Sequence, residues 1–292
     1  MGERTTDSRA GGAGGGDEGL SDAVSPEVRR VILNGLALLP AGANVVMQLS
    51  QLGVGHGVLE SRVSSGSLYH HPIKRTRTTM SYIMIAGFGT PEERAALRAA
   101  VNVQHRQVRS SPADQVRYNA FDPTLQLWVA ACMYQGVLDS VNFLYGEQSE
   151  DVLDEIYRFS ARFATTLQVP DSLWPSDRES FERYWTSALT TVEMDAATRA
   201  YLRDFISLGF LPRVVRTVLG PINRFVTTGF LAPVFRDALG VPWGPSQQAL
   251  FRVLLRLLAA LNHVLPSLLR EFPWNLVLRD ARRRIASGRP IV

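Results

Sequence analysis

Five histidines, His56, His70, His71, His105 and His263, and a single cysteine, Cys132, are the side chains most able to hold a metal or a reactive centre. His105 stands apart, because Leu97, Val101, His105 and Val108 follow one another at spacings of four, four and three. On a helix that spacing turns the imidazole the same way as the apolar contacts. A buried ring needs a partner, since an unpaired polar group costs free energy in an apolar setting. One partner is a backbone carbonyl, which would make His105 an ordinary core histidine. The other is a metal. No His-x-x-x-His or Glu-x-x-His mate lies beside it, so a multi-ligand mononuclear site has little support. A single buried histidine can still hold a haem iron, because the porphyrin supplies four further ligands. His70 and His71 precede Pro72 in a loop and are expected to be solvated. His263, near Pro266, is expected at a partly buried helix edge. Arg75 and Thr79 lie one helical turn apart, and taken alone they suit a surface arginine and a back-bonded threonine. Glu60 closes a long uncharged run and, taken alone, suits a helix end meeting water.

Helices must position these groups, and their starts are written in the sequence. Ser25-Pro26, Thr90-Pro91-Glu92-Glu93, Asp122-Pro123 and Ser176-Asp177-Arg178-Glu179 combine a cap with a first-turn proline or a capping-box acid. Ser149, Asp195 and Ser246 are further cap candidates. Apolar residues then recur every three or four positions, as in Ile156, Phe159, Phe163 and Leu167, or Leu250, Leu254, Leu257, Leu261, Leu265 and Leu268. Sustained alternation of period two, the strand signature, is missing. Prolines and glycines near residues 170–176, 209–221 and 240–245 read as helix connections. With no repeat and no long linker after residue 25, the expectation is one all-α domain over residues 25–292, built of about ten helices.

The chain has 292 residues, 46% of them hydrophobic and 20% charged, enough for a sizeable core. A net charge of +4, from 31 basic and 27 acidic residues, does not call for nucleic acid as a partner. Arg279, Arg282, Arg283, Arg284 and Arg289 crowd the C-terminus against Asp280 and read as a solvated helix end. A lone cysteine excludes an internal disulfide, disfavours cysteine-ligated zinc or iron–sulfur, and fits a cytoplasmic location. Residues 1–24 are rich in Gly, Ser and charge, and lack the apolar stretch of a signal peptide. They are expected to be a disordered tail. Deleting them should leave the melting temperature nearly unchanged, and a loss of several degrees would show that they dock.

Behind Arg29-Arg30, the run from Val31 to Leu59 carries no acid, lysine or arginine. Asn34, Pro40, Asn44, Gln48, Gln51 and several glycines interrupt it, so it reads as two buried helices and not as a membrane span. Ala249 to Leu269 carries Arg252 and Arg256 and reads as amphipathic. No stable span is expected.

The chain resembles the MpaB and rubber-oxygenase (latex-clearing protein) catalytic domain family. The similar pieces run in order: Ala41-Gly42-Ala43 through Met47-Gln48-Leu49 to Gly57-Val58; Arg75-x-Arg77-x-Thr79 and Phe88-Gly89-Thr90; Val103-x-His105-x-x-Val108. Tyr118-x-Ala120-x-Asp122-Pro123, Leu127-Trp128-Val129, Tyr157, Leu167-x-Val169-Pro170, Trp174-Pro175 and Tyr184-Trp185 continue the series. The resemblance implies an all-helical haem b oxygenase acting on a hydrophobic or aromatic small molecule with dioxygen or peroxide. It makes His105 the proximal iron ligand, Arg75 a partner for a haem propionate or an oxygen ligand, Thr79 a hydrogen-bond donor, and Glu60 an acid/base group. Two departures stand out. Ala130 follows Leu127-Trp128-Val129 where the family often has histidine, and Arg109-Ser110-Ser111 stands where many members have glycine. The alternative is a non-catalytic helical haem- or lipid-binding protein on the same scaffold.

Overall fold

The computed structural model describes residues 24–61, 63 and 67–292, so all but the last residue of the expected N-terminal tail lie outside the described region. In chain order the helices are α1 (Pro26–Ile32), α2 (Ala41–Leu49), α3 (Leu52–Leu59), α4 (Pro72–Phe88), α5 (Pro91–His105), α6 (Pro123–Tyr145) and α7 (Glu150–Thr165). There follow α8 (Arg178–Leu189), α9 (Ala196–Ile206), α10 (Arg213–Phe230), α11 (Pro233–Leu239), α12 (Pro245–Val264), α13 (Ser267–Arg270) and α14 (Trp274–Ala286). Short 3-10 turns span Gly35–Leu38 and Asp171–Leu173. Among the described residues there are fourteen α-helices and no strand, apart from an isolated bridge between Arg109 and Asn119. The all-α expectation holds. The number of helices exceeds the expected ten because the chain breaks more often near its two ends.

Most caps sit where the sequence places them. The Ser25 hydroxyl accepts from Val28 N–H, and Thr90 and Glu93 form a reciprocal capping box. Asp122 and Asp195 accept from Thr124 and Thr198. Two starts differ. Asp177, not Ser176, caps α8, its carboxylate taking Ser180 N–H at 2.7 Å. The α12 start moves from Ser246 to Gly244, because Gln247 reaches back to the Gly244 N–H at 2.7 Å. Ser149 precedes α7 without a side-chain cap bond.

The core gathers on α6, which packs against α7, α2 and α12, while α4 lies against α14, α7 and α5. Trp128 of α6 stacks on Trp185 of α8, ring centroids 5.3 Å apart at 14°, and its Nε1 donates to the Gln48 carbonyl at 3.1 Å. Phe235 closes this group from α11. Close approach of α4 to α7 depends on Gly87, where a Cβ would run into the Phe159 ring.

The uncharged N-terminal run folds into short buried pieces, one more than expected, with a 50° bend between Pro26–Ile32 and Gly35–Leu49. Val31, Leu33, Val46, Met47 and Leu49 are buried. Among the described residues no single helix is long and apolar enough to cross a membrane, although this bent pair passes by length and composition. Asn34, one of the interruptions, ties distant parts together: its side-chain amide donates to Asn262 Oδ1 at 2.7 Å and Tyr145 Oη at 2.8 Å. Its carbonyl accepts from Trp274 Nε1 at 2.7 Å. The leucine series makes helix α12 as far as Val264, with Leu268 in α13, and Leu250, Leu257, Leu261 and Leu268 face outward.

Candidate functional site

His105 is the last residue of α5, carried there by the helix that the Thr90 box starts. Leu97 and Val101 below it are buried, as the spacing requires. Val108 lies past the helix end, on a turn closed by its own N–H to the His105 carbonyl. The ring meets the edge of Phe121 at 6.1 Å and 87°. Its Nδ1 is buried and has no hydrogen-bond partner. Such an orphaned atom costs about 1–3 kcal/mol unless something else satisfies it. Burial, reinforced by the charge on Arg75, lowers the imidazole pKa to about 4. At neutral pH the ring is therefore uncharged, the form a metal requires.

Arg75 sits in α4 on the turn before Thr79. It is exposed, as the surface reading expects, and the protein atoms around its guanidinium lower the pKa of that group by desolvation. The charge of Arg75 reaches His105 on α5 and Tyr201 on α9. The back-bonded threonine of this segment is Thr78, whose hydroxyl donates to the Arg75 carbonyl at 2.9 Å. Thr79 keeps accessible surface. Arg77 Nε is another buried donor without a partner.

Glu60 stands elsewhere. Its carboxylate bonds His56 Nδ1 at 2.6 Å and takes the Tyr118 hydroxyl at 3.1 Å, with no contact to Arg75, Thr79 or His105. His56 Nε2 meets Asp195 at 2.7 Å, so the imidazole lies between two carboxylates. A small cleft of about 120 Å³ beside Glu60 is lined by Gln107, Arg109, Asp114 and Tyr118. The sequence carries a hint of this chain in His56-x-x-x-Glu60, one helical turn apart, but nothing in it brings up Asp195. Burial works to lower the His56 pKa, but the bonds and charges of Glu60 and Asp195 outweigh it and raise the pKa above 6.5. Their pairing therefore adds stability at pH below 6.5, lost as pH rises through the raised value. Melting curves on either side of that window should show this slope in the wild type and a flatter one in His56→Gln. An unchanged slope would overturn the assignment.

Asp139 is the second group the sequence reading passes over. It is the one charged residue in α6, and burial pushes its carboxyl up to about 6 against a bond from Gln135. His70 and His71 are exposed, as expected; His263 is exposed too, and not at a partly buried edge. Ala130 is buried in α6. Among the described residues, no group of three His, Cys, Asp or Glu side chains could hold a metal ion. Any metal at His105 must then bring its other ligands with it. A haem does so, and the neutral imidazole with a nearby desolvated cation suits an iron porphyrin and its anionic propionates.

A family model described as "ER-bound oxygenase mpaB/B'/Rubber oxygenase, catalytic domain" matches residues 29–260. An uncharacterized protein of Mycobacterium tuberculosis is 49% identical over 255 residues, covering 87% of this chain and 100% of the relative. An uncharacterized protein of Mycobacterium bovis matches with the same identity and coverage. No solved structure matches.

Proposed function

The chain belongs to the mpaB/rubber oxygenase catalytic-domain family, and from that premise we propose that it is a haem b-dependent oxygenase acting on a hydrophobic or aromatic small molecule with dioxygen or peroxide. The observation that carries the reading is His105: neutral, with a buried nitrogen lacking any partner, and within reach of the Arg75 charge. Bound haem would supply the redox chemistry. The chain's own residues do the rest. His105 would hold the iron through a ring nitrogen. The planar fork of Arg75 would pair with a propionate or an anionic oxygen. Thr79, one turn on, donates a hydrogen bond to an oxygen ligand or a water. Glu60 serves acid/base work through its chain with His56 and Tyr118 and not by direct contact with the other three. Phe121, edge-on to the ring, would keep water from one side of His105.

Absorbance of the purified, haem-reconstituted protein tests this. A Soret band together with oxygen consumption on a hydrophobic substrate is the expected result. A protein that stays colourless overturns it. A Soret band with no turnover on any apolar substrate favours the non-catalytic binder, for which Ala130 in place of a histidine is the supporting feature. Haem loading should also persist below pH 6.5, since a proton competes for His105 only near 4. Loss of the band with a midpoint near the ordinary histidine value would overturn the assignment of the ligand.

A further inference from the structure

Helices α10 and α12 pack on one another, and both turn large apolar side chains outward. On α10, Val214, Val218 and Ile222 recur every fourth residue and are 59–78% exposed. On α12, Leu250, Val253, Leu257, Leu261 and Val264 form a second outward stripe at 47–77%. Leu268, Leu269 and Phe272 extend it past the helix end. Folded domains rarely leave so many large apolar groups in water without a use for them. The charges around them are mostly basic, with Arg216 paired to Asp204 of α9 at 3.1 Å. Arg213, Arg216 and Arg224 on α10, and Arg252 and Arg256 on α12, face no Asp or Glu within either helix. Beside α10 opens a cleft of about 520 Å³ lined by Arg216, Arg224, Phe225 and Trp243.

Three coverings are conceivable, and charge separates them. Residues 1–24 offer only Met1, Leu20 and Val24 as large apolar groups, too few to cover the two stripes. A second copy docked about a two-fold axis would set these arginines against their own images. An anionic bilayer surface accepts both features together, with apolar side chains among the upper acyl chains and guanidinium groups on lipid phosphates. We propose that the α10–α12 face seats the protein on an anionic phospholipid bilayer, lying in the headgroup layer without crossing it. The arginines at the cleft would take the phosphates of adjoining lipids. This surface is separate from His105 and is tested without haem.

Flotation of the full-length protein with vesicles of phosphatidylcholine, with and without phosphatidylglycerol, is the experiment. The wild type should float with the anionic vesicles, weakly with the neutral ones, and less as salt screens the arginines. Val218→Glu with Leu257→Glu should lower the floated fraction by about tenfold or more. Arg252→Glu with Arg256→Glu should abolish the preference for phosphatidylglycerol. Circular dichroism checks folding, and Val218→Ser with Leu257→Ser replaces the glutamate pair if that pair unfolds. Failure of the wild type to float overturns the proposal, as does a folded apolar variant that floats like the wild type. If the wild type instead forms a dimer by light scattering that the apolar variant dissolves, the face joins two copies. A monomer that ignores vesicles leaves an acidic protein surface as the occupant, and the bilayer assignment is then wrong.

Discussion

Replacing His105 with alanine is expected to lower bound haem per chain by at least about tenfold, read as loss of the Soret band after reconstitution. Even groups that only orient a metal ligand change affinity by about 10–100-fold, and in the proposed function His105 is the ligand itself. No other described histidine can substitute at that place. His56 is held between Glu60 and Asp195, and His70, His71 and His263 are exposed. The fold should survive, because the removed ring carries a buried nitrogen with no hydrogen bond to lose. Melting of the haem-free protein should move by only a few degrees. Free imidazole added to the variant should restore part of the band by filling the vacated position. His70→Ala and His71→Ala are the matched controls and should keep the wild-type spectrum. If His105→Ala keeps that spectrum while another histidine change removes it, the ligand lies elsewhere.

Trp128→Ala should have the largest effect on stability. The indole is 2% exposed, stacks on Trp185, approaches Phe235, and donates to the Gln48 carbonyl across to α2. Truncating a buried tryptophan costs about 3–5 kcal/mol through lost transfer energy and the cavity left behind. For a domain of this size that lowers the melting temperature by on the order of 10 °C. The Gln48 carbonyl also loses its donor, which adds to the cost unless water enters. Val103→Ala is the control, since that side chain is 51% exposed. A shift for Trp128→Ala no larger than the control's would mean that this aromatic group is not the keystone of the α6 packing.

Much of this architecture was legible because it rests on local chemistry. A hydroxyl or carboxylate two or three residues before the N–H it caps is visible in one dimension, and Thr90, Asp122 and Asp195 cap as their spacing implies. His105 was legible for the same reason, since a capped helix of known start fixes which face each later residue takes. What was not legible needed information about neighbours. The leucine period of α12 fixes a helix but not which of two apolar faces meets the core, and that helix has both. Arg75 reads as a surface residue and is one, but only the placement of α5 and α9 brings its charge to His105 and Tyr201. The link from His56 to Asp195 spans 139 residues, and no spacing rule reaches that far.

Asn34 has a consequence for how the chain can be cut or fused. Three segments far apart in sequence end on that one residue, through Tyr145, Asn262 and Trp274. Two of those contacts lie beyond residue 260, where the family match stops. A shortened protein that keeps only the matched stretch would lose the Asn262 and Trp274 bonds, leaving Tyr145 on the Asn34 amide and the Ala37 N–H on its carbonyl. The last thirty or so residues therefore act as a clasp on the first buried turn, and shortening the chain at its far end would loosen it at its near one.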